Sequence, residues 1–184
     1  MEKQIQSVDL QEFIEEIQRK NRNPCKVTVL KVLDDLGTNS ERVLPIGTEL
    51  FRCRIINDDS EINKEENFFG YNASHSFVPP YDKTKDMRAN YRYIPYLYCA
   101  NNPYIALVEA RPRLGAQVSI ATIRVNEEIK LLDFTMQTIP AKMADSKKKL
   151  FADLSMLYSK PIASDDDILD YIPTQYIAES LPST

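Results

Sequence analysis

The sequence predicts an α+β fold, on three observations. Residues 49 to 56 alternate in polarity as a half-buried strand does, with Phe51, Cys53 and Ile55 on one face and Arg52 and Arg54 on the other. Residues 8 to 21 and 145 to 158 carry apolar side chains at helical spacing. Past the first helix, strands come first and helices lie between and after them, an order that fits α+β better than a doubly wound sheet.

Each element follows from its residues. In the first helix Asp9 can cap with Glu12 three residues on, and Leu10, Phe13, Ile14 and Ile17 form one stripe. "CKVTVLKVLDDLG" is ambiguous, and its β-branched residues lean towards a strand. Pro45 and Gly47 make a turn into the strand at 49 to 56. Residues 57 to 87, polar and punctuated by "FFGYNASHSFVPPY", read as a long loop. "YIPYLYCA" reads as a short strand. Asn102 can cap the next helix with Pro103 at its first position, and Pro112 ends it. Two strands follow, at 118 to 125 and 129 to 134, then the helix at 145 to 158 with Leu150, Leu154 and Leu157. The last helix is expected to begin near Ser164, with Asp165, Asp166 and Asp167 in its first turn and a kink or restart at Pro173.

Composition excludes several function classes. With 184 residues, 43% hydrophobic and 27% charged, the chain has the make-up of a globular domain with a real core. A net charge of −4 argues against direct nucleic acid binding. No apolar run approaches the roughly 18 residues of a membrane helix, and the acidic start "MEKQIQSVDLQEF" is not a secretion signal. Cys25, Cys53 and Cys99 are odd in number and lack metal-ligand spacing, which suits a reducing, cytoplasmic location. The single histidine, His75, lies in the long polar loop, and four glycines supply neither a phosphate loop nor a dinucleotide fingerprint.

What remains is a set of arginines and tyrosines around one acid. In "RANYRYIPYLYCANNPYIALVEARPR" Glu109 stands between Ile105 and Ala106 on the helical wheel, and an apolar surround predicts burial. A buried carboxylate needs an arginine or several donors, and Arg52, Arg54, Arg88, Arg92 and Arg111 are the candidates. Two readings stay open: a structural Arg–Glu pair, or a site where arginines hold an anionic substrate and Glu109 meets a developing positive charge.

"LFRCRI", "RAN", "YLYCANNPYIALVEARP", "VSIATIRV" and "YIPTQYIAE", in that order over roughly residues 48 to 180, resemble the RES-domain family of bacterial toxins and their longer relatives. The resemblance implies a mixed, mostly antiparallel sheet with flanking helices, similar to the ADP-ribosyltransferase toxin fold. It further implies degradation of NAD, a substrate rather than a bound cofactor, at the nicotinamide–ribose bond by hydrolysis or phosphorolysis. By the same resemblance Glu109 is the catalytic residue, Arg52, Arg88, Asn90 and Tyr98 bind substrate, no metal takes part, and an Xre-type antitoxin is the partner protein. Residues 1–45 are then an N-terminal helical extension and 46–184 the RES-like domain. The family carries a serine on a strand after the segment matched by "YIPTQYIAE", whereas this sequence reaches "SLPST", so an incomplete C-terminal end is expected. The rival functions are ADP-ribosyl transfer, which shares the first half of the reaction, and an inactive module that binds a nucleotide or a partner.

Overall fold

Five helices and four strands carry the architecture of the computed structural model, which describes residues 7–24, 28–38, 42–57, 62–65, 68–135, 143–160 and 168–181. In chain order the helices are α1 (Val8–Glu15), α2 (Thr28–Thr38), α3 (Pro103–Ala110), α4 (Asp145–Ser159) and α5 (Ile172–Ser180). The strands are β1 (Glu49–Ile55), β2 (Ile62–Glu65), β3 (Phe68–Tyr71) and β4 (Val118–Arg124). The fold is α+β, and its strands form small antiparallel sheets. The chain divides into two compact units: Met1–Arg42 with Lys85–Arg92 and Lys130–Thr184, and Val43–Thr84 with Tyr93–Ile129.

The first unit is helical. Leu10, Phe13 and Ile17, spaced by three and four residues, put their side chains into a core with Val29, Val32 and Leu33 of α2, Leu150 and Leu154 of α4, and Ile177 of α5. Two expectations are corrected here. Residues 28–38 form a helix, because Val29, Val32 and Leu33 also fall on one helical face and burial there outweighs β-branched propensity. The N-cap of α1 is Ser7, whose Oγ accepts from the Leu10 N–H at 3.4 Å, while Asp9 sits inside the first turn. The Ser7 N–H in turn donates to Asp153 Oδ2 of α4 at 2.6 Å, tying the helix start to the body of the unit. The strand expected at 129–134 is cut to Ile129–Lys130. Beyond it, Leu132 and Phe134 turn into the helical core, where the Phe134 ring stacks on Tyr158 at 4.9 Å.

The second unit is built on β1 paired with β4, with Arg52 opposite Ala121 and Arg54 opposite Ser119. The long loop expected at 57–87 contains a hairpin, β2 with β3, and a single helical turn at Ala73–Ser76. It is held to the sheet where the Tyr71 N–H donates to Ser119 Oγ at 3.0 Å. Thus aromatic residues in a polar stretch marked pairing, not an open loop. "YIPYLYCA" is extended but shares one bridge only, Phe51 with Ala100. The last-helix start, with Asp165 to Asp167, lies outside the described residues; α5 itself has Pro173 in its first turn, where the missing N–H costs nothing.

The shared helical core sets the stability of the first unit. Leu33→Ala, at a fully buried position, is expected to lower unfolding free energy by about 2–5 kcal/mol in a denaturant titration. Ile120→Ala, on the partly exposed β4, should cost less than about 1 kcal/mol under the same conditions.

Candidate functional site

Arg52 is the unusual residue of the second unit. It is half-buried on β1, and its guanidinium nitrogen Nη1 is fully sheltered with no hydrogen-bond partner among the described residues. Burial, and next the neighbouring Arg54 charge, lower the Arg52 pKa, while Cys99 works in the opposite direction. Arg54, on the same strand face, is satisfied: it lies 4.3 Å over the Tyr71 ring and donates to the His75 carbonyl. The two arginines therefore differ in kind: Arg54 is anchored, and Arg52 has a sheltered nitrogen without an acceptor among the described residues.

The segment before α3 reaches Arg52 through backbone pairing. The N–H groups of Phe51 and Ala100 each donate to the other's carbonyl at 2.8 Å, which brings Cys99 beside Arg52. Burial pushes the Cys99 thiol up in pKa, and the Arg52 charge only partly opposes this. Tyr98, one residue earlier, is exposed. Asn102 caps α3 as expected, its Oδ1 accepting from the Tyr104 N–H at 2.8 Å, and Arg111 ends the helix in a left-handed conformation with φ 48°.

Helix α3, which carries Glu109, packs against β1. The expectation that Glu109 is buried is corrected: it is exposed. Of α3 only Ala106 is buried, with Leu107 and Ala110 half-covered, so the helix meets the sheet through a narrow stripe. Tyr104, Ile105 and Val108, apolar as they are, remain 72%, 46% and 52% exposed. An apolar wheel shows where a helix can be buried, not how much of it is.

Arg52, Tyr98 and Glu109 thus belong to one unit, on β1, the segment bridged to it and the helix packed on it. Arg88 and Asn90 belong to the other. Arg88 Nη1 donates to the Leu157 carbonyl at 2.8 Å and Nη2 to that of Lys160, at the C-terminal end of α4 where the helix dipole favours a cation. Its guanidinium also lies 5.9 Å from the Tyr171 ring centre, in a cavity of about 190 Å³ lined by Ile14, Gln18, Lys160, Asp170 and Pro173 as well. Asn90 is buried, and its Nδ2 donates to the carbonyls of Lys85 at 3.0 Å and Tyr91 at 2.9 Å. Its amide nitrogen is engaged in shaping the turn.

His75 faces Asn72, with Nδ1 2.8 Å from Oδ1. Sequence reasoning missed two residues. Cys99 was passed over as one of three scattered thiols, and its closeness to Arg52 depends on the bridge at Ala100. Gln175 was part of "YIPTQYIAE" without a role, yet it is buried and donates to two carbonyls of the Arg88 turn. A lone amide amid Pro173, Thr174 and Ile177 on the inner face of a helix was the available signal. Among the described residues no helix is long and apolar enough to cross a membrane.

A family model described as the RES domain matches residues 63–182, well over half of the chain. Arg88, Asn90, Tyr98 and Glu109 fall within this span, and Arg52 precedes it. No curated protein and no solved structure matches the sequence. The chain belongs to the RES domain family.

Proposed function

We propose that the chain cleaves the nicotinamide–ribose bond of NAD, as a glycohydrolase or a phosphorylase. The observation that carries this reading is the sheltered Arg52 Nη1, without a hydrogen-bond partner among the described residues, on the strand against which the helix of Glu109 packs. A sheltered guanidinium nitrogen without an acceptor carries a desolvation cost, and a pyrophosphate oxygen is the kind of group that relieves it. Membership of the RES domain family supports the same substrate class. Arg88 is proposed to bind an anionic group of the nucleotide with the N–H donors left after those given to Leu157 and Lys160.

In hydrolysis the C1′–N bond breaks, its electron pair stays with nicotinamide, and water oxygen bonds C1′ as one proton is released; inorganic phosphate takes the place of water in phosphorolysis. The ribose passes through an oxocarbenium-like state. Nicotinamide leaves as a neutral base from a cationic linkage, so a general acid is not required. Glu109 would meet the positive charge on the ribose, and exposure in the ligand-free protein leaves it reachable. Its attraction is weak in water and grows when a bound nucleotide excludes that water. Tyr98 offers a ring on which nicotinamide or ribose can stack.

We also propose control by an Xre-type antitoxin. The apolar, exposed Tyr104, Ile105 and Val108 support a protein-binding face on α3. Expression of the chain should arrest bacterial growth, and co-expression of the antitoxin should restore it; normal growth with abundant protein and no antitoxin would count against NAD loss.

The decisive assay is release of nicotinamide from NAD by the purified protein. Glu109→Gln should lower turnover by about 10² to 10³-fold, the scale of one preorganised electrostatic group. Its melting temperature should hardly move, since the side chain is exposed. A large fall in stability with turnover intact would assign Glu109 a structural role instead. Radiolabel from NAD appearing on a macromolecule would replace hydrolysis by ADP-ribosyl transfer.

Arg52→Leu separates binding from folding. It removes an unsatisfied charge and keeps much of the apolar stem, so the melting temperature should hold or rise. NAD binding, followed by calorimetry, should weaken by at least about tenfold, the scale of a lost charge-assisted hydrogen bond. Unchanged affinity would remove Arg52 from the site.

A further inference from the structure

The turn that carries Arg88 is held from below. Between Lys85 and Arg92 the backbone folds back so that the Met87 N–H donates to the Asn90 carbonyl at 3.0 Å, with Arg88 inside the loop so formed. Three side chains lock it. Asn90 Nδ2 closes the turn onto Lys85 and Tyr91. Asp86 Oδ1 accepts from the Arg92 N–H at 3.0 Å. Gln175, reaching in from the first half of α5, donates through Nε2 to the Met87 carbonyl at 2.9 Å and to the Asn90 carbonyl at 2.8 Å. Two of these locks lie within the turn. Gln175 alone comes from a distant stretch of chain, and it is fully buried.

From this we infer that Gln175 is the positioning residue for Arg88: it fixes the backbone of the turn, and so the point from which the guanidinium reaches its ligands. The chemistry requires an amide. Both groups it meets are carbonyl oxygens, which only a donor can satisfy, and one –NH₂ has the two protons that two carbonyls need. A leucine would fill the space, take this donor from the Met87 carbonyl and leave the Asn90 carbonyl only its bond from the Met87 N–H. A glutamate would set a carboxylate against them. Arg88 gains from being held at both ends. Its guanidinium donates to the end of α4 and its backbone rests on α5, so little rotamer freedom is left to lose when an anion binds. The role of Gln175 in ligand binding rests on the NAD reading above; its role in holding the turn does not.

The experiment uses the full chain and three measurements. In Gln175→Leu, hydrogen exchange at the Met87 amide should quicken by about tenfold or more while the Leu154 amide in α4 keeps its protection, because the loss is local. In the nicotinamide-release assay KM for NAD should rise by about tenfold with kcat within about twofold, the signature of a binding group that has lost its place. In Gln175→Glu both defects should be present near pH 8 and recede towards about pH 5, as the buried carboxyl, its pKa raised by burial, takes a proton and becomes a donor. If Gln175→Leu does not fold, Gln175→Glu at the two pH values makes the same comparison within one protein. Unchanged Met87 exchange overturns the inference, as does an equal loss of protection at Met87 and Leu154, which is mere destabilisation. A loosened turn with unaltered KM overturns the positioning role. Wild-type protein that releases no nicotinamide overturns the NAD reading, and the exchange data with their pH rescue then decide the clamp by themselves.

Discussion

The first unit depends on one burial event: the stripe of Leu10, Phe13 and Ile17 must meet Leu154 and Ile177, more than a hundred residues further along the chain. Neither partner is stable by itself. Isolated helices of this length are marginal in water, and each of these exposes an apolar face until it packs. The polar contacts of the unit follow from that packing. Ser7 reaches Asp153 because α1 is seated on α4, and Gln175 reaches the Arg88 turn because Ile177, on the same helix, is anchored in the core. Hydrogen bonds here specify positions that apolar burial makes available.

The second unit shows the opposite balance. Its sheet is short, its helix α3 is attached through a narrow stripe, and several large apolar side chains face water. In this setting the sheltered Arg52 nitrogen, without a hydrogen-bond partner among the described residues, is a stability cost. Arg54, two residues on, shows the alternative: an arginine on the same strand face with an aromatic ring and a carbonyl to receive it.

Local signals were legible in the sequence, and distant ones were not. Asn102 and Pro103 mark the start of α3 because a cap is made within a few residues, and the alternation of residues 49 to 56 marks β1 for the same reason. The helix at 28–38 was ambiguous in the sequence because its Val residues favour a strand locally, while the core that decides for the helix comes from elsewhere. The hairpin within 62–71 was hidden since pairing is a property of two segments. The candidate site was chosen in the sequence by residue type, arginine, tyrosine and acid, and the degree of burial of Glu109 was not legible there. Burial depends on how wide a stripe α3 commits to β1, and the residues of α3 are apolar on nearly every side. For Gln175 the sequence offered an apolar surround as a signal but not its partners, which are backbone carbonyls and have no letter in a sequence.

The discontinuous make-up of the first unit also sets a timetable for synthesis. Phe13 leaves the ribosome long before Ile177 exists, and at typical elongation rates the interval is on the order of ten seconds. Through that time the first two helices have an apolar face and no C-terminal partner, and in its last part all the residues of the second unit, which ends at Ile129, have already been made. The nascent chain therefore carries a finished sheet beside unfinished helices. A chaperone that shields the N-terminal stripe would act in that window, and the Arg88 turn, which takes its support from α5, would be among the last parts of the protein to acquire its shape.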